Sequence, residues 1–404
     1  MKPYILFSTL FISSLFLSVQ SSAQTENYWT KKADFTGLKR ERAIAFTVDD
    51  FAYIGTGVDT AEFVHKDFWK YDPSVDVWVQ VADFPGTERR NASAFSIGGF
   101  GYVGTGMDNA DANFGSTLSD FWKYDPTTNN WSSIANLPGN GIYFATGFSI
   151  GDKGYICGGK KGPNWYASTL YEYNPASNSW ISKAAFPGGV RYQLSSFVID
   201  DLAYVGLGVD QDLYRKDIWQ YDPNSNSWIA RTDLPASERG SSHTFTLGQR
   251  GFVCMGSNGG ILDDLWEYNP FADDWTSRAT YGGSSRKNGV FFALNGKGYV
   301  GIGKGYSGKK LSMYEYTPNA ILDLNETAVN KIHIYPNPTS ETINIHAPAN
   351  KIVTLEVFTS YGRKVLETAY AAQISIDHLP MGIYILIGKG ETGEILSKEK
   401  LIIQ

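Results

Sequence analysis

Short apolar segments that alternate with polar positions recur along most of the chain and end in glycine or in an Asp/Asn-Pro pair. The first repeated motif is an aromatic residue, an apolar residue and a glycine-rich end, as in the segment from Tyr53 to Gly57. It occurs six times, and a phenylalanine always stands eleven residues before its last glycine. These phenylalanines are Phe46, Phe95, Phe148, Phe197, Phe245 and Phe292. Apolar positions that alternate with polar ones, and that are often aromatic or β-branched, predict β-strands.

A second motif, a tyrosine before a turn that ends in proline, follows each copy of the first. Its copies begin at Tyr71, Tyr124, Tyr173, Tyr221, Tyr268 and Tyr316. In the first five, a tryptophan stands seven residues after the tyrosine. Proline presets φ at the second position of a turn, so this motif predicts a turn between two strands. Each unit is predicted to have four strands: a with the phenylalanine, b with the glycine motif, c with the tyrosine and d with the tryptophan.

These units repeat every 47 to 53 residues, and their glycine, tyrosine and tryptophan positions recur in register. Residues 29–318 therefore resemble kelch repeats of the galactose oxidase/kelch superfamily, and the resemblance implies a β-propeller in which each unit is one blade. The predicted fold class is all-β: a six-bladed kelch-type β-propeller over residues 24–318, followed by a small β-sandwich domain.

The sixth unit lacks its tryptophan, because Asp323 stands seven residues after Tyr316. In every complete unit the tryptophan precedes a recurring position of the next unit by eleven residues, and Trp29 precedes Arg40 by the same spacing. Trp29 is therefore predicted to lie on strand d of the sixth blade. The N-terminal strand would then close the ring.

The first 23 residues combine Lys2, an apolar run from Ile5 to Val19 and small residues before Gln24. This pattern is typical of a cleaved secretory signal peptide, so residues 1–23 are predicted to be removed. A membrane anchor is the alternative, but the run is short for one. No other segment is apolar for long enough to span a bilayer, so no transmembrane segment is expected after cleavage.

The repeat pattern stops after Pro318, where a polar linker is predicted over residues 319–331. The segment 332–404 then alternates in the manner of five or so strands and predicts a small β-sandwich. Its segments Tyr335 to Thr339, Tyr361 to Arg363 and Leu379 to Tyr384 resemble the type A C-terminal sorting domain of the Bacteroidetes type IX secretion system. The resemblance implies handling by the type IX machinery, and release or surface anchoring on a Gram-negative bacterium. An ordinary accessory β-sandwich is the alternative.

Charge and cysteine content narrow the function classes. The formal net charge of −6 offers no general attraction to nucleic acid, so no nucleic-acid partner is expected. Cys157 and Cys254 stand in the same position of two units that are not neighbours in sequence. Two cysteines can form one disulfide at most, so the chain is no disulfide scaffold. We expect both to be buried, unpaired strand residues that act as small apolar side chains.

Several chemical sites can be tested against the sequence. A copper site like that of galactose oxidase needs two histidines and two tyrosines as ligands, and a cysteine cross-linked to one tyrosine. The propeller has only His65 and His243, and its cysteines lie within strand motifs, so this ligand set cannot be assembled. The segment from Gly303 to Lys309 matches the sequence pattern of a phosphate-binding loop. It joins two strands instead of opening a helix, so we attribute the match to chance. Asp59, Asp108 and Asp210 follow the glycine motif and are expected to be solvated. No metal and no cofactor are predicted.

Aspartates also recur just before strand c, and this regularity favours hydrogen bonding at a turn or strand end over catalysis. They are Asp67, Asp120, Asp217 and Asp264.

Arginine recurs six residues before the phenylalanine of strand a in five of the six units. These residues are Arg40, Arg89, Arg191, Arg239 and Arg286, and Ile142 takes the place in the third unit. Ring symmetry would gather them near one mouth of the central channel, where guanidinium groups bind carboxylates or sulfates. Tyr143 and Tyr192 follow this position directly and could stack on a sugar. The alternative is that each arginine is architectural and pairs with a neighbouring blade.

Three functions remain open. The first is a secreted or surface-anchored binding module that recognises a glycan or an acidic small molecule on the arginine face. The second is a sugar-modifying enzyme, because N-acetylneuraminate epimerase resembles this architecture with six kelch blades and an arginine-rich pocket. The third is a scaffold for a protein partner. The fold alone does not distinguish them.

Overall fold

The computed structural model describes residues 27–109, 115–162, 165–318, 332–346, 352–359, 364–391, 393 and 395–403. The predicted signal peptide, residues 1–23, and the predicted linker, residues 319–331, lie outside the described residues. Every regular element in the described part is a β-strand. No helix there is long and apolar enough to cross a membrane.

Six antiparallel sheets of four strands form the propeller, and each sheet is one of the repeated units. The strands of blades 1 to 3 are Ile44–Val48, Phe51–Gly55, Phe68–Asp72 and Val77–Val81; Ser93–Ile97, Phe100–Gly104, Phe121–Asp125 and Asn130–Ile134; and Thr146–Ile150, Lys153–Cys157, Leu170–Asn174 and Ser179–Lys183. Those of blades 4 and 5 are Ser195–Ile199, Leu202–Gly206, Ile218–Asp222 and Ser227–Arg231; and His243–Leu247, Arg250–Cys254, Leu265–Asn269 and Asp274–Arg278. The a strands of successive blades pack together in cyclic order, and the last contacts the first, so the sheets close into a ring.

The sixth blade is built from both ends of the repeat region. Its strands a, b and c are Val290–Leu294, Lys297–Gly301 and Met313–Thr317, and its strand d is Tyr28–Lys32. The N-terminal strand pairs antiparallel with strand c, and Trp29 lies opposite Tyr316. This is the place that the spacing of Trp29 assigns to it.

Each blade is tied to its neighbour by the same side chains. The tryptophan of strand d donates its indole N–H to a backbone carbonyl of the preceding blade in all six cases, over 2.8 to 3.3 Å. The phenylalanine rings of strand a pack against strand b of the following blade. At Gly101 a Cβ would lie 2.1 Å from the Phe46 ring, so no larger residue fits there without a shift. The blades therefore interlock through repeated aromatic contacts.

Short two-stranded hairpins extend the b–c connections on one face of the ring. The hairpins pair Lys160–Gly162 with Trp165–Tyr166, Val209–Asp210 with Leu213–Tyr214, and Lys304–Gly305 with Gly308–Lys309. A fourth two-stranded pair joins Arg40–Glu41 of the d–a connection to Val58–Asp59 of the b–c connection. The d–a connections reach the same face, since strands a to d alternate in direction. This face is called the mouth face below.

The C-terminal strands form two further sheets. One contains His333–Tyr335, Thr342–His346 and Gln373–Ser375, and the other contains Lys364–Ala369, Thr354–Thr359, Gly382–Lys389 and Ile395–Ile403. Their buried residues, Leu355 and Leu401 among them, form one apolar cluster drawn from residues 332–403 alone. The bounds of the propeller and of this segment as independent domains stay a prediction.

Replacing Trp29 with alanine is predicted to destabilise the ring. Trp29 packs edge-on against Tyr281 at 5.0 Å and hydrogen-bonds the Ala279 carbonyl, so its loss should lower the free energy of unfolding by about 3 kcal/mol. Trp165 is the matched control because it is exposed, and its replacement should change stability by less than about 0.5 kcal/mol. Urea unfolding followed by fluorescence measures both. Equal stability of the two variants would contradict closure by the N-terminal strand.

Candidate functional site

The five arginines of the predicted site lie inside the blades and are almost fully shielded from solvent. Arg89 shows the arrangement: its two terminal nitrogens donate to the two carboxylate oxygens of Asp120 at 2.8 and 2.7 Å. One of them also donates to the Thr105 carbonyl at 2.9 Å. The same bidentate pair joins Arg40 to Asp67, Arg191 to Asp217 and Arg239 to Asp264. The pair ties the start of strand a to the start of strand c in one blade.

Arg286 differs in its partner only. Ser312 stands where blades 1, 2, 4 and 5 have aspartate, and Arg286 donates to its carbonyl at 2.9 Å and to its hydroxyl at 3.0 Å. Aromatic rings cover four of the guanidinium groups at 4.6 to 5.2 Å. These rings belong to Phe35, Phe84, Phe186 and Tyr281.

This placement does not support the expectation that the five arginines form the core of a binding site. Their terminal nitrogens donate to groups of the same chain, the Nε of Arg191 alone among the five has no partner in the described part, and their burial leaves no surface for a ligand. The architectural alternative describes them better, although the partner belongs to the same blade and not to the neighbouring one. The aspartates before strand c have the hydrogen-bonding role that their recurrence indicated.

Blade 3 shows why the pair is architectural. Ile142 stands at the arginine position, and Thr169 stands at the position of the aspartate before strand c. Both members are therefore replaced together, and Ile142 packs in an apolar cluster with Leu137. An isolated buried charge is costly, so the aspartate and the arginine are absent together in this blade. This joint replacement is visible in the sequence and could have indicated the pairing. Blade 6 keeps Arg286 without the aspartate, because Ser312 and the Ile302 carbonyl accept its hydrogen bonds.

The channel mouth is formed by the residues two positions after the arginines. All six adopt left-handed backbone conformations, with φ between 53° and 62°. They are Arg42, Asn91, Phe144, Gln193, Ser241 and Asn288. Backbone N–H groups of five of them donate to the carbonyl of the equivalent residue in the preceding blade at 2.7 to 3.3 Å. These residues, called the mouth ring below, line a channel cavity of about 170 Å³.

Basic and aromatic side chains gather beside one sector of the mouth ring. We call this group the basic-aromatic cluster; its members are Arg42, Arg90, Tyr143, Phe144, Lys160, Tyr166 and Tyr192. The Arg42 guanidinium lies 5.5 Å from the Phe144 ring centre, and Phe144 lies 6.1 Å from the Tyr192 ring. Tyr192 stacks on Tyr166 at 5.4 Å, and the Lys160 ammonium lies 4.3 Å from the Tyr192 ring centre. The structure thus brings both predicted tyrosines to the mouth.

Arg42 and Arg90 carry positive charge that the chain compensates only weakly. Burial lowers the pKa of Arg90, and the charge of Arg42 lowers it further. Among the described residues Arg42 has one ion pair, with Glu41 at 3.9 Å, and Arg90 has none. The Nε atoms of both are buried without a hydrogen-bond partner in that part of the chain. Sequence reasoning missed these two residues because they stand outside the repeated arginine position.

Tyr143 and Tyr192 remain protonated at neutral pH. Burial raises the pKa of Tyr192 to about 12, with a further contribution from Asp212. Burial also raises the pKa of Tyr143, followed by the effect of Tyr166. The hydroxyl group of Tyr192, which is half-buried, can therefore donate a hydrogen bond to a ligand, whereas Tyr143 is buried and supports the cluster from below. The cluster offers cationic donors and ring faces together.

A closed ring of four-stranded blades around a narrow channel defines a β-propeller. Residues 44–166 match the family described as N-acetylneuraminate epimerase, and residues 333–404 match the secretion system C-terminal sorting domain. The solved structure of YjhT is similar with a TM-score of 0.59 at 16% identity, and the match covers 78% of this chain and 99% of that chain. No curated protein sequence matches the chain.

The chain is a kelch-type β-propeller with a C-terminal secretion sorting domain. The sorting domain indicates export by the type IX secretion system, to the cell surface or into the medium. The similarity to YjhT shows the fold alone. Because 567 chains of solved structures match, the propeller by itself does not select one function.

The ion pairs predict an acid-sensitive stability. Burial raises the pKa of Asp120, but the hydrogen bonds and charge of Arg89 outweigh it and hold that pKa below its ordinary value. A lowered carboxyl pKa contributes stability that is present above the unfolded pKa of about 3.9 and is lost as pH falls through the folded pKa. Arg89→Ala should cost about 3 kcal/mol at pH 7 and reduce the loss of stability below about pH 4. Urea titrations at several pH values measure both effects.

Arg42→Gln is the control for this experiment, because Arg42 is half-buried and has no bidentate partner. It should change the free energy of unfolding by less than about 0.5 kcal/mol at any of these pH values. If Arg89→Ala were as stable as Arg42→Gln, the ion pairs would not hold the blades together.

The sorting domain yields a separate prediction. Leu355→Asp places a charge in its buried core, so this variant should remain in the periplasm while the propeller keeps its thermal transition. Val353→Asp is the matched control, because Val353 is exposed on a neighbouring position. Cell fractionation and calorimetry of the retained protein measure the outcome. Normal export of Leu355→Asp, or loss of the propeller transition, would contradict the sorting role or its modularity.

Proposed function

We propose that the propeller is a binding module for an acidic carbohydrate, exported through the type IX system of a Gram-negative bacterium of the Bacteroidetes. The ligand binds at the mouth face, in the basic-aromatic cluster. The five buried arginines hold the loops of this face in place and do not contact the ligand.

One observation carries the proposal: the Nε atoms of both Arg42 and Arg90 are buried without a hydrogen-bond partner among the described residues. The charge of Arg42 also lowers the pKa of Arg90, although Glu62 and Glu41 offset part of this effect. Two neighbouring cations that are partly desolvated repel each other, so an anion between them is favoured. Guanidinium groups bind carboxylates and sulfates in a bidentate manner, which suits the acidic group of a sugar.

The aromatic side chains support a sugar as the remainder of the ligand. Phe144, Tyr166 and Tyr192 present ring faces beside the cations, and such faces pack against the apolar face of a sugar ring. The N-acetylneuraminate epimerase match over residues 44–166 includes five of the seven cluster residues. These are Arg90, Tyr143, Phe144, Lys160 and Tyr166.

The same match favours one second candidate, an enzyme that acts on an acidic sugar. An epimerase-like activity would use the same cavity, so binding measurements do not separate it from a binding module. The rate of anomer exchange of N-acetylneuraminate, followed by NMR with and without the protein, distinguishes the enzyme from the binding module. Acceleration that requires Arg42 and Arg90 would replace the binding-module proposal with the enzyme.

The double variant Arg42→Gln/Arg90→Gln is predicted to lose binding of acidic glycans. Each charge-assisted hydrogen bond contributes about 1.5 to 3 kcal/mol, so affinity should fall by a factor of about 100 or more. A glycan array that compares sialylated, uronate-containing and neutral glycans identifies the ligand, and calorimetric titration of the mature chain measures affinity.

Lys153→Gln is the matched control, because Lys153 begins strand b of blade 3 next to the a–b turn, on the opposite face, and pairs with Asp152. It should bind like the unchanged protein. If the array shows no acidic glycan, or if the double variant binds one with unchanged affinity, the proposed site is wrong.

A further inference from the structure

A second group of cations lies on another sector of the mouth face, in blade 6. Lys287 and Lys304 face each other as an isolated antiparallel pair, with backbone hydrogen bonds of 3.0 and 2.9 Å in both directions. Like charges at directly opposed positions destabilise a β pair. Nothing in the blade architecture requires lysine at either position, since the backbone makes these bonds.

The described carboxylates nearby compensate this charge only in part. Lys309 is buried and uses Glu62, at 2.8 Å, together with the Asp59 carbonyl. Glu41 lies 3.8 Å from Lys309 and 4.0 Å from Lys304, and its other oxygen accepts a hydrogen bond from Asn288. Lys287 has no ion pair among the described residues. The sector therefore carries an excess of positive charge.

This excess charge borders a separate cavity of about 140 Å³. Its lining is polar: besides Lys287 and Lys304 it includes Glu41 and the hydroxyl-bearing residues Tyr214, Ser241 and Ser257. Ammonium groups beside hydroxyls suit a carboxylate or sulfate that is attached to a hydroxylated body.

The two cavities are adjacent at the mouth ring and share part of their lining. Arg42, Gln193, Ser241 and Asn288 line both of them. A ligand bound beside Arg42 in the basic-aromatic cluster therefore reaches the lysine cavity without leaving the protein surface.

Exposed aromatic residues extend both ends of this surface. Trp165 lies in the hairpin that carries Lys160 and is 73% exposed, and Tyr306 lies in the hairpin that carries Lys304 and is 78% exposed. A sugar ring beyond each cationic group would stack on them.

We infer that the mouth face holds two anion subsites, the Arg42/Arg90 subsite and a Lys287/Lys304 subsite, and that its ligand is an oligosaccharide with at least two acidic residues. The inference rests on the proposed function and deepens it, because it assigns a polymeric ligand class and a second set of binding residues. A monosaccharide occupies only the first subsite.

The test uses the mature chain and two probes suggested by the family match, N-acetylneuraminate and its α2,8-linked tetramer. Calorimetric titration should give the tetramer an affinity about 30-fold or more above that of the monomer, which exceeds the statistical effect of four equivalent residues. Lys287→Gln/Lys304→Gln should remove this advantage and leave the affinity for the monomer unchanged. Arg42→Gln/Arg90→Gln should abolish binding of both probes.

Lys310→Gln is the matched control, because Lys310 lies in the same loop but is hydrogen-bonded to Ser307 and lines neither cavity. Equal affinity for tetramer and monomer, or an equal loss for both in the lysine variant, overturns the second subsite and leaves the proposed function standing. Failure of both probes to bind the unchanged protein overturns the two proposals together for this sugar class. Thermal unfolding of each variant shows that a loss of binding is not a loss of fold.

Discussion

The mouth face depends on the buried ion pair between the arginine before strand a and the aspartate before strand c. In Arg89 and Asp120 it joins the d–a and b–c connections of one blade, which are otherwise separate loops. The backbone carbonyl at the arginine position also accepts the N–H of the last motif glycine of the preceding blade, at 2.7 to 3.3 Å in all six blades. One residue thus fixes its own blade through its side chain and the neighbouring blade through its backbone.

This arrangement explains why the arginines that recur are not the ones available to a ligand. A side chain that meets the same structural need in each blade has the same partners in each blade, and those partners consume its hydrogen-bonding capacity. Arg42 and Arg90 occur once each at their positions in the unit. A ligand needs an asymmetric surface on a symmetric ring, so the residues that break the repeat are better candidates for recognition.

In the mouth ring the backbone meets the structural need, and the side chains are left to vary for ligand recognition. Its residues all carry the left-handed backbone that the ring of hydrogen bonds requires, although none of the six is glycine. Such backbone strain in non-glycine residues is found where the surrounding structure imposes it, and functional sites are a common place for it. The backbone is therefore uniform around the channel, while the side chains range from Arg42 through Phe144 to Ser241. The same scaffold can host different ligands by changing these side chains and the b–c hairpins.

Periodicity by itself determined the six four-stranded units, their strand order and the place of Trp29, because spacing along the chain maps directly onto position in a repeated blade. It also showed that an arginine recurs in five units and an aspartate in four of these. Only the tertiary structure decided that these two residues neutralise each other, since the arginine and the aspartate are separated by 25 to 31 residues and meet across the blade. The tertiary structure likewise decided that Arg42, Arg90 and the tyrosines of blades 3 and 4 lie together. Arg90, Tyr143 and Tyr192 stand at the same position of three successive units, directly after the arginine position, and Arg42 stands one position later in the first unit. The spacing places them on one face, but their contacts across blades depend on closure of the ring and on side-chain packing.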